Sequence, residues 1–181
     1  MRHGGLAAAG VLVGLGLLSG CSPAALSLSA VWLGRDGQPV VAVRPCDGDH
    51  ATNLNLSSWA EDAYIEDKKN GGVVPNPSST ASPGQVNTRW SVGSGVEIGR
   101  TTFPLFSPPS AWHTQKTGQQ RLLPGRSYSL HFMGARQSWD PYDGYLTFSA
   151  ADLASLRPGQ VWADGRAMSR AEFDDLVDDQ C

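Results

Sequence analysis

The seven residues LLPGRSY, numbered 122–128, decide which fold this chain of 181 residues is expected to adopt. Proline restricts its own φ and glycine tolerates positive φ, so the central Pro124-Gly125 pair predicts a sharp turn. Large apolar residues then recur at every second position, which is typical of a strand with one buried face. The strand would bury Tyr128, Leu130 and Phe132 and would expose Ser129, His131 and Met133.

The same stretch resembles the Leu-x-Pro-Gly-x-x-Tyr corner of fibronectin type III and related immunoglobulin-like sandwiches. In those domains the proline and glycine turn the chain between two sheets, and the tyrosine hydroxyl bonds back to the backbone of the corner. The resemblance implies an immunoglobulin-like antiparallel β-sandwich in which Tyr128 closes the corner. The alternative is an ordinary turn before an unrelated strand.

Composition and spacing also favour a mainly β chain. The sequence holds 12 prolines and 21 glycines, which favour short strands and many turns. Apolar residues 30–33 and 39–43 flank Asp36-Gly37 and predict a hairpin. Further strands are predicted around Leu54 and Leu56, at 63–65, around Trp90, Ile98 and Phe103, and at 145–148, with a long loop over 67–87.

The C-terminal residues change to a helical period. Ser149 and Asp152 form one capping box, and Ser169 and Glu172 form a second, so two short helices are predicted. The second helix would place its apolar residues on one face and pack them on the sandwich. Those residues are Phe173, Leu176 and Val177.

Two of the three cysteines are predicted to form a disulfide, Cys46 with Cys181. An exported chain meets an oxidising environment, and a bond between these two would join the last residue to the end of an early strand. The alternative is a pair of free thiols. A metal site is disfavoured because Cys181 has no cysteine or histidine nearby in the sequence.

The N-terminus places the basic Arg2 before an uncharged apolar run, residues 6–18. As a helix this run spans roughly 20 Å, short of the ~30 Å hydrocarbon core, which indicates a secretory signal. The run ends in Leu18-Ser19-Gly20-Cys21, which resembles the bacterial lipobox Leu-(Ala/Ser)-(Gly/Ala)-Cys. The resemblance implies that the Cys21 thiol receives a diacylglyceryl group and that the chain is cut just before it.

These features divide the chain into a lipoprotein signal peptide (1–20), a tether (21–29) and a single sandwich domain with a helical tail (30–181). The expected location is the extracytoplasmic face of the cell membrane, where two acyl chains hold stably. The alternative is an ordinary secreted protein in which Cys21 is incidental.

Charge argues against nucleic acid as a partner. Without residues 1–20 the chain has 13 basic and 17 acidic side chains, and Lys68-Lys69 is the only adjacent basic pair. The expected partners are the membrane, through the anchor, and an envelope protein or glycan. No cofactor is predicted.

Aromatic residues in proline-rich segments suggest a ligand-binding platform. Trp112, Trp139 and Tyr142 would serve a glycan or small molecule if their rings are exposed. The alternative is that these rings fold back and plug the edges and ends of the sandwich.

Catalytic and metal signals are weak. His50 beside Asp47 and Asp49, and the Asp140/Asp143 segment, offer metal-ligand types, but both segments are equally typical of turns. A hydrolase would need His50, His113 or His131 to approach a nucleophile in space, and no Gly-x-Ser-x-Gly elbow is present. The leading hypothesis is therefore a non-enzymatic, lipid-anchored interaction or envelope-structural module, with a glycan or small-molecule binder second and an envelope hydrolase third.

Overall fold

Two β-sheets face each other across one apolar core in this computed structural model, which describes residues 23–66, 73–76, 78–79, 87–136 and 140–181. The strands are β1 (Ala24–Leu26), β2 (Ser29–Leu33), β3 (Pro39–Val43), β4 (Thr52–Ala60), β5 (Tyr64–Glu66), β6 (Val73–Pro75), β7 (Arg89–Ser91), β8 (Thr101–Pro104), β9 (Gln115–Thr117), β10 (Arg126–Arg136), β11 (Asp140–Ser149), β12 (Gln160–Ala163) and β13 (Arg166–Ser169). The α-helices are α1 (Ala150–Ser155) and α2 (Arg170–Gln180), and Glu61–Ala63 and Ser110–Trp112 form 3₁₀ turns.

The strand order confirms the predicted sandwich. One sheet has the order β1-β11-β10-β4-β7-β9, the second has the order β13-β12-β2-β3-β8, and β5 pairs with β6 separately. In the immunoglobulin plan, β2, β3 and β8 take the places of strands A, B and E, and β4, β10 and β11 take those of C, F and G. Strand β7 joins the second group as C′ does. The pairings among these seven strands are antiparallel.

The predicted corner is present at the start of β10. The Tyr128 hydroxyl accepts a hydrogen bond from the Leu123 backbone N–H at 2.8 Å and donates one to the Arg121 carbonyl at 3.1 Å. The ring of Tyr128 is fully buried and stacks on Phe148, with 5.4 Å between ring centroids. The corner therefore satisfies backbone groups that the turn would otherwise leave unpaired.

The alternation predicted for β10 is also present. Tyr128, Leu130 and Phe132 have no exposed surface, whereas Met133 is 39% exposed on the opposite face. Ser129, predicted to face outward, is only 7% exposed. Ser129 is covered because β10 lies between β11 and β4 in the sheet, so residues of both neighbouring strands flank its side chain.

Both predicted capping boxes form and start the two α-helices. The Ser149 side chain accepts from the Asp152 N–H, and the Ser169 side chain accepts from the Glu172 N–H. Helix α2 buries Phe173 and Val177 against the core, and Leu176 packs at its border.

Several described segments differ from the expectation, among them β9 and β13, which were not predicted as strands. Residues 24–26, predicted as part of a tether, form β1, which pairs in parallel with β11 and covers part of its edge. Ile98 makes only an isolated bridge to Ala51. Within the predicted loop over 67–87, residues Val73–Pro75 form β6, whose backbone pairs with β5. Most of the remaining residues of that loop lie outside the described residues.

Candidate functional site

The sandwich has two ends that differ in construction, and β2, β11 and α2 each run from one end to the other. At one end the start of β1 pairs with Tyr142, close to Cys46 and Cys181. We call this end the tether pole. At the other end the turn after β2, helix α1 and the start of α2 surround an open groove. We call this end the groove pole.

The tether pole is cross-linked through its two cysteines. Cys46 and Cys181 are placed as a disulfide-bonded pair, with 5.3 Å between their Cα atoms and 135 residues between them in the chain. The Cys46 N–H donates a hydrogen bond of 3.0 Å to the hydroxyl of Tyr142. Strand β11, the end of β3 and the end of α2 are thereby joined at one point.

Two glycines at the tether pole make room for aromatic rings. Gly134 pairs with Tyr142 across the β10–β11 ladder, and Gly144 pairs with Phe132. A Cβ atom at Gly134 would overlap the ring of Tyr142, and one at Gly144 would overlap the ring of Phe132. The two rings meet edge to face, 6.4 Å apart, so each fills the space that a glycine leaves open.

The groove pole contains a cavity of about 510 Å³, within the range of small-ligand sites. Its floor includes Leu153, which is buried, and Leu156, which is half-buried. Three arginines line it: Arg35 from the β2–β3 turn, Arg157 after α1, and Arg170 at the start of α2. No carboxylate is among the described residues that line this groove.

One of these arginines lies over an aromatic ring. The guanidinium carbon of Arg170 lies 4.5 Å from the centroid of the Trp32 ring. Stacking uses the flat face of the guanidinium and leaves its N–H edges able to bind other groups. The two ion pairs found among the described residues, Arg100–Asp47 and His131–Asp143, involve none of the groove arginines.

Among the described residues, three groups have shifted pKa values, and each contributes to the scaffold. Burial lowers the pKa of Arg44, an effect that nearby Asp174 opposes, and the guanidinium donates to the Thr101 carbonyl at 2.6 Å. Burial raises the pKa of Tyr128, against the hydrogen bond from Leu123. The hydrogen bonds from Ser169 lower the pKa of Glu172 in its capping box.

The structure describes two of the three aromatic residues predicted to bind a ligand, Trp112 and Tyr142. These two do not form an exposed platform. Tyr142 is 2% exposed, because its ring occupies the space over Gly134 inside the sandwich. Trp112 is half-buried, with its ring edge-on to Phe103 at 4.9 Å. Tyr142 thus fills one end of the sandwich, as the alternative interpretation of the sequence predicted. Trp139 lies outside the described residues.

Of the residues predicted for metal or hydrolase chemistry, the structure brings His131 and Asp143 together and leaves the histidines on different segments. His50 and His113 are exposed, on separate segments. His131 lies 3.1 Å from Asp143 on the outer face of β10 and β11, and this carboxylate is its hydrogen-bond partner among the described residues. Within the described parts of the chain, no group of three or more histidine, cysteine or acidic side chains is arranged to hold a metal ion.

The groove arginines are the functional candidates that sequence analysis missed. Arg35 is separated from the other two by more than a hundred residues, so no basic cluster is visible in the sequence. The pairing of β12 with β2 and the packing of α1 on β2 bring these segments to the same end of the sandwich. The weak signal was their setting, since each lies at a predicted turn or helix end.

The fold and this groove define an immunoglobulin-like β-sandwich with an appended helical segment and an arginine-lined cavity at one end. Comparisons of the chain with protein-family models, with curated proteins and with solved structures find no match. In the described residues, no helix has the length and apolar character needed to span a membrane.

Proposed function

We propose that this chain is a lipid-anchored, non-enzymatic interaction module on the extracytoplasmic face of a bacterial membrane. The observation that carries the proposal joins sequence and structure. The lipobox-like motif ends at Cys21, and the folded sandwich begins with β1 at Ala24. The acceptor cysteine therefore lies immediately before the domain.

The length of this connection limits where the domain sits. A chain extends by at most ~3.6 Å per residue, so the Cα atoms of Cys21 and Ala24 are separated by no more than roughly 11 Å. The tether pole would therefore remain close to the headgroups. The nine-residue tether expected from the sequence would have allowed roughly three times that distance.

The same geometry presents the groove pole to the surroundings. Strand β11 runs from Tyr142, beside β1, to Ser149, beside α1. At ~3.4 Å per residue this part of the strand spans roughly 25 Å. The groove is therefore at the end of the domain that points away from the anchor, where a partner from the envelope can reach it.

The test of the anchor is a substitution at its acceptor. Cys21→Ala should give protein without the diacylglyceryl group, either uncleaved with its apolar residues 6–18 retained or released from the membrane. The neighbouring Ser22→Ala should be processed like the wild type. Mass spectrometry of the N-terminal peptide should find a diacylglyceryl-modified Cys21 in the wild type. A Cys21→Ala chain that is cleaved and still partitions into detergent like the wild type would contradict the proposal.

The orientation is tested with fluorescent labels in vesicles that contain a quencher attached to lipid headgroups. A label at Asp140, an exposed residue at the tether pole, should be quenched more strongly than one at Ala154, an exposed residue of α1. Equal quenching at the two positions would mean that the domain lies flat or tumbles freely, and would remove the outward-facing groove from the proposal.

A further inference from the structure

We infer that the arginine-lined groove at the groove pole binds a small organic anion through its carboxylate or phosphate group. The inference goes beyond the lipid-anchored role and does not depend on it. Its basis is the combination of a concave site, an apolar floor and three guanidinium groups without a carboxylate among the lining residues.

The charge distribution is the first step. The full chain has a formal net charge of −3, so a local cluster of positive charge runs against the overall balance. Within the described residues, neither of the two ion pairs neutralises Arg35, Arg157 or Arg170. Like charges gathered in a cleft repel each other and focus a field that attracts anions.

The kind of cation is the second step. An arginine guanidinium presents paired N–H donors that match the two oxygens of a carboxylate or phosphate. Trp32 holds the guanidinium of Arg170 at a distance of 4.5 Å, which limits its freedom before any ligand arrives. A side chain ordered in advance loses less entropy on binding. Arg170 is therefore the anchoring donor, and Arg35 and Arg157 are the additional donors.

The body of the ligand is the third step. The cavity of about 510 Å³ is too large for an inorganic ion alone and matches a molecule of drug or disaccharide size. Leu153 and Leu156 provide apolar contact at the floor, and Gln160 is a neutral polar neighbour. A sugar acid or sugar phosphate has the matching combination of an acidic group and a compact organic body. It could be free or the terminal unit of a glycan.

Binding is measured by calorimetry on the intact mature chain in non-ionic detergent. The probes are galacturonate, glucose 6-phosphate and inorganic phosphate, with uncharged galactose as the reference. A short oligogalacturonate tests whether the ligand is the terminal unit of a glycan. The two organic anions should bind better than phosphate, and galactose should not bind. Tighter binding of the oligomer would identify a glycan end, whereas equal binding would identify a free small molecule, and either result supports the inference.

Variants locate the site. Arg170→Gln should weaken binding of the organic anions by roughly tenfold or more, the size expected for a charge-assisted hydrogen bond. Arg35→Gln, in an exposed turn that should fold normally, should weaken it by a smaller factor. Arg89→Gln removes the same charge from an exposed position on β7 and should leave the affinity unchanged.

Three results would overturn the inference. The first is no heat of binding for any anion at millimolar concentration. The second is an equal loss of affinity in Arg170→Gln and Arg89→Gln, which would mean general attraction to a charged surface. The third is tighter binding of a glutamate-rich peptide than of either organic anion, which would identify a protein-docking surface instead.

Discussion

The two poles of this sandwich are built by different rules. At the tether pole, rings of Phe132 and Tyr142 fill the space above glycines, and a paired Cys46 and Cys181 joins strand to helix. At the groove pole, the chain leaves a cavity and gathers arginines without a neutralising carboxylate in its lining. One end has the contacts expected of structural stability, and the other has features that folding alone does not favour.

The difference indicates how the free energy of folding is distributed. Substitutions at the tether pole should change stability strongly, because they remove a covalent link or disturb close packing. Substitutions of the groove arginines should change stability little, because these side chains are exposed and take part in neither of the ion pairs among the described residues. Helix α2 connects the two, since Arg170 begins it and Cys181 follows its last residue.

The largest effect is expected from removing the cysteine pair. Replacing both Cys46 and Cys181 with serine removes the bond that closes a loop of 135 residues. In the chain-entropy model this loss lowers the free energy of unfolding by about 4–5 kcal/mol. Chemical denaturation measures the change. Reductant should destabilise the wild type similarly and leave the double variant unaffected.

The bond itself is checked by mass spectrometry of peptides prepared without reductant. A cross-linked peptide pair containing Cys46 and Cys181 is expected. Complete alkylation of both thiols in the mature chain without reductant would show that no bond forms, and the docking of α2 would then rest on packing alone.

The next largest effect is expected at Gly144. Gly144→Ala places a methyl group where the ring of Phe132 lies, and Phe132 has no exposed surface into which it could move. Overpacking of this kind should lower the free energy of unfolding by about 3 kcal/mol. Gly99→Ala is the matched control, because nothing lies within 4 Å of its added Cβ. Equal stability of the two variants would mean that the tether pole is loosely packed.

Sequence patterns predicted much of this fold, for local reasons. The corner at 122–128, the 30–43 hairpin and both capping boxes depend on residues a few positions apart, so their geometry can be inferred from spacing. The ring-over-glycine contacts could not be inferred. They depend on the register of β10 against β11, which pairs Gly134 with Tyr142, and that register is set by the whole sandwich.

A smaller effect is expected at the corner. Tyr128→Phe removes the hydroxyl that accepts from the Leu123 N–H and donates to the Arg121 carbonyl. The loss should lower the free energy of unfolding by about 1–2 kcal/mol at neutral pH. An unchanged denaturation midpoint would show that the corner hydrogen bonds contribute nothing net to stability.

The same variant should alter the response to alkaline pH. Burial raises the pKa of Tyr128 in the folded state, so above the unfolded-state pKa of ~10 the unfolded chain loses its proton first. The contribution of the neutral hydroxyl is complete below ~10 and is lost as pH rises through the higher folded pKa. Tyr128→Phe should therefore show a shallower fall in stability across this window. A slope equal to that of the wild type would contradict the assigned shift.

The functional candidates were less accessible to sequence reasoning than the fold. Trp112 and Tyr142 attracted attention because aromatic residues in proline-rich segments are conspicuous, yet the structure uses Tyr142 inside the core. The groove arginines are single charges in separate segments, and single charges are common at turns. Their importance comes from convergence in space, which requires the pairing of β12 with β2.

The smallest effect, and the sharpest comparison of the poles, is expected from two arginines with opposite surroundings. Arg44, next to the tether pole, donates to the Thr101 carbonyl and to the Thr102 hydroxyl. Arg44→Gln should lower the free energy of unfolding by about 1 kcal/mol, because the charge-assisted bond to the part-buried Thr101 carbonyl is lost. Arg35→Gln should change it by less than about 0.5 kcal/mol, as for surface substitutions away from specific contacts.

The salt dependence of stability distinguishes the physical causes of the changes expected in Arg44→Gln and Arg35→Gln. Repulsion among the groove arginines is exposed to solvent and is screened over ~10 Å at 0.1 M salt. Arg35→Gln should therefore be slightly more stable than the wild type at low salt and equal to it at high salt, whereas the loss in Arg44→Gln should persist. Adding an organic anion that binds the groove should then stabilise the wild type by linkage and stabilise Arg35→Gln less. A large loss of stability in Arg35→Gln without any ligand would mean that the arginine serves the fold, and the contrast between the two poles would fail.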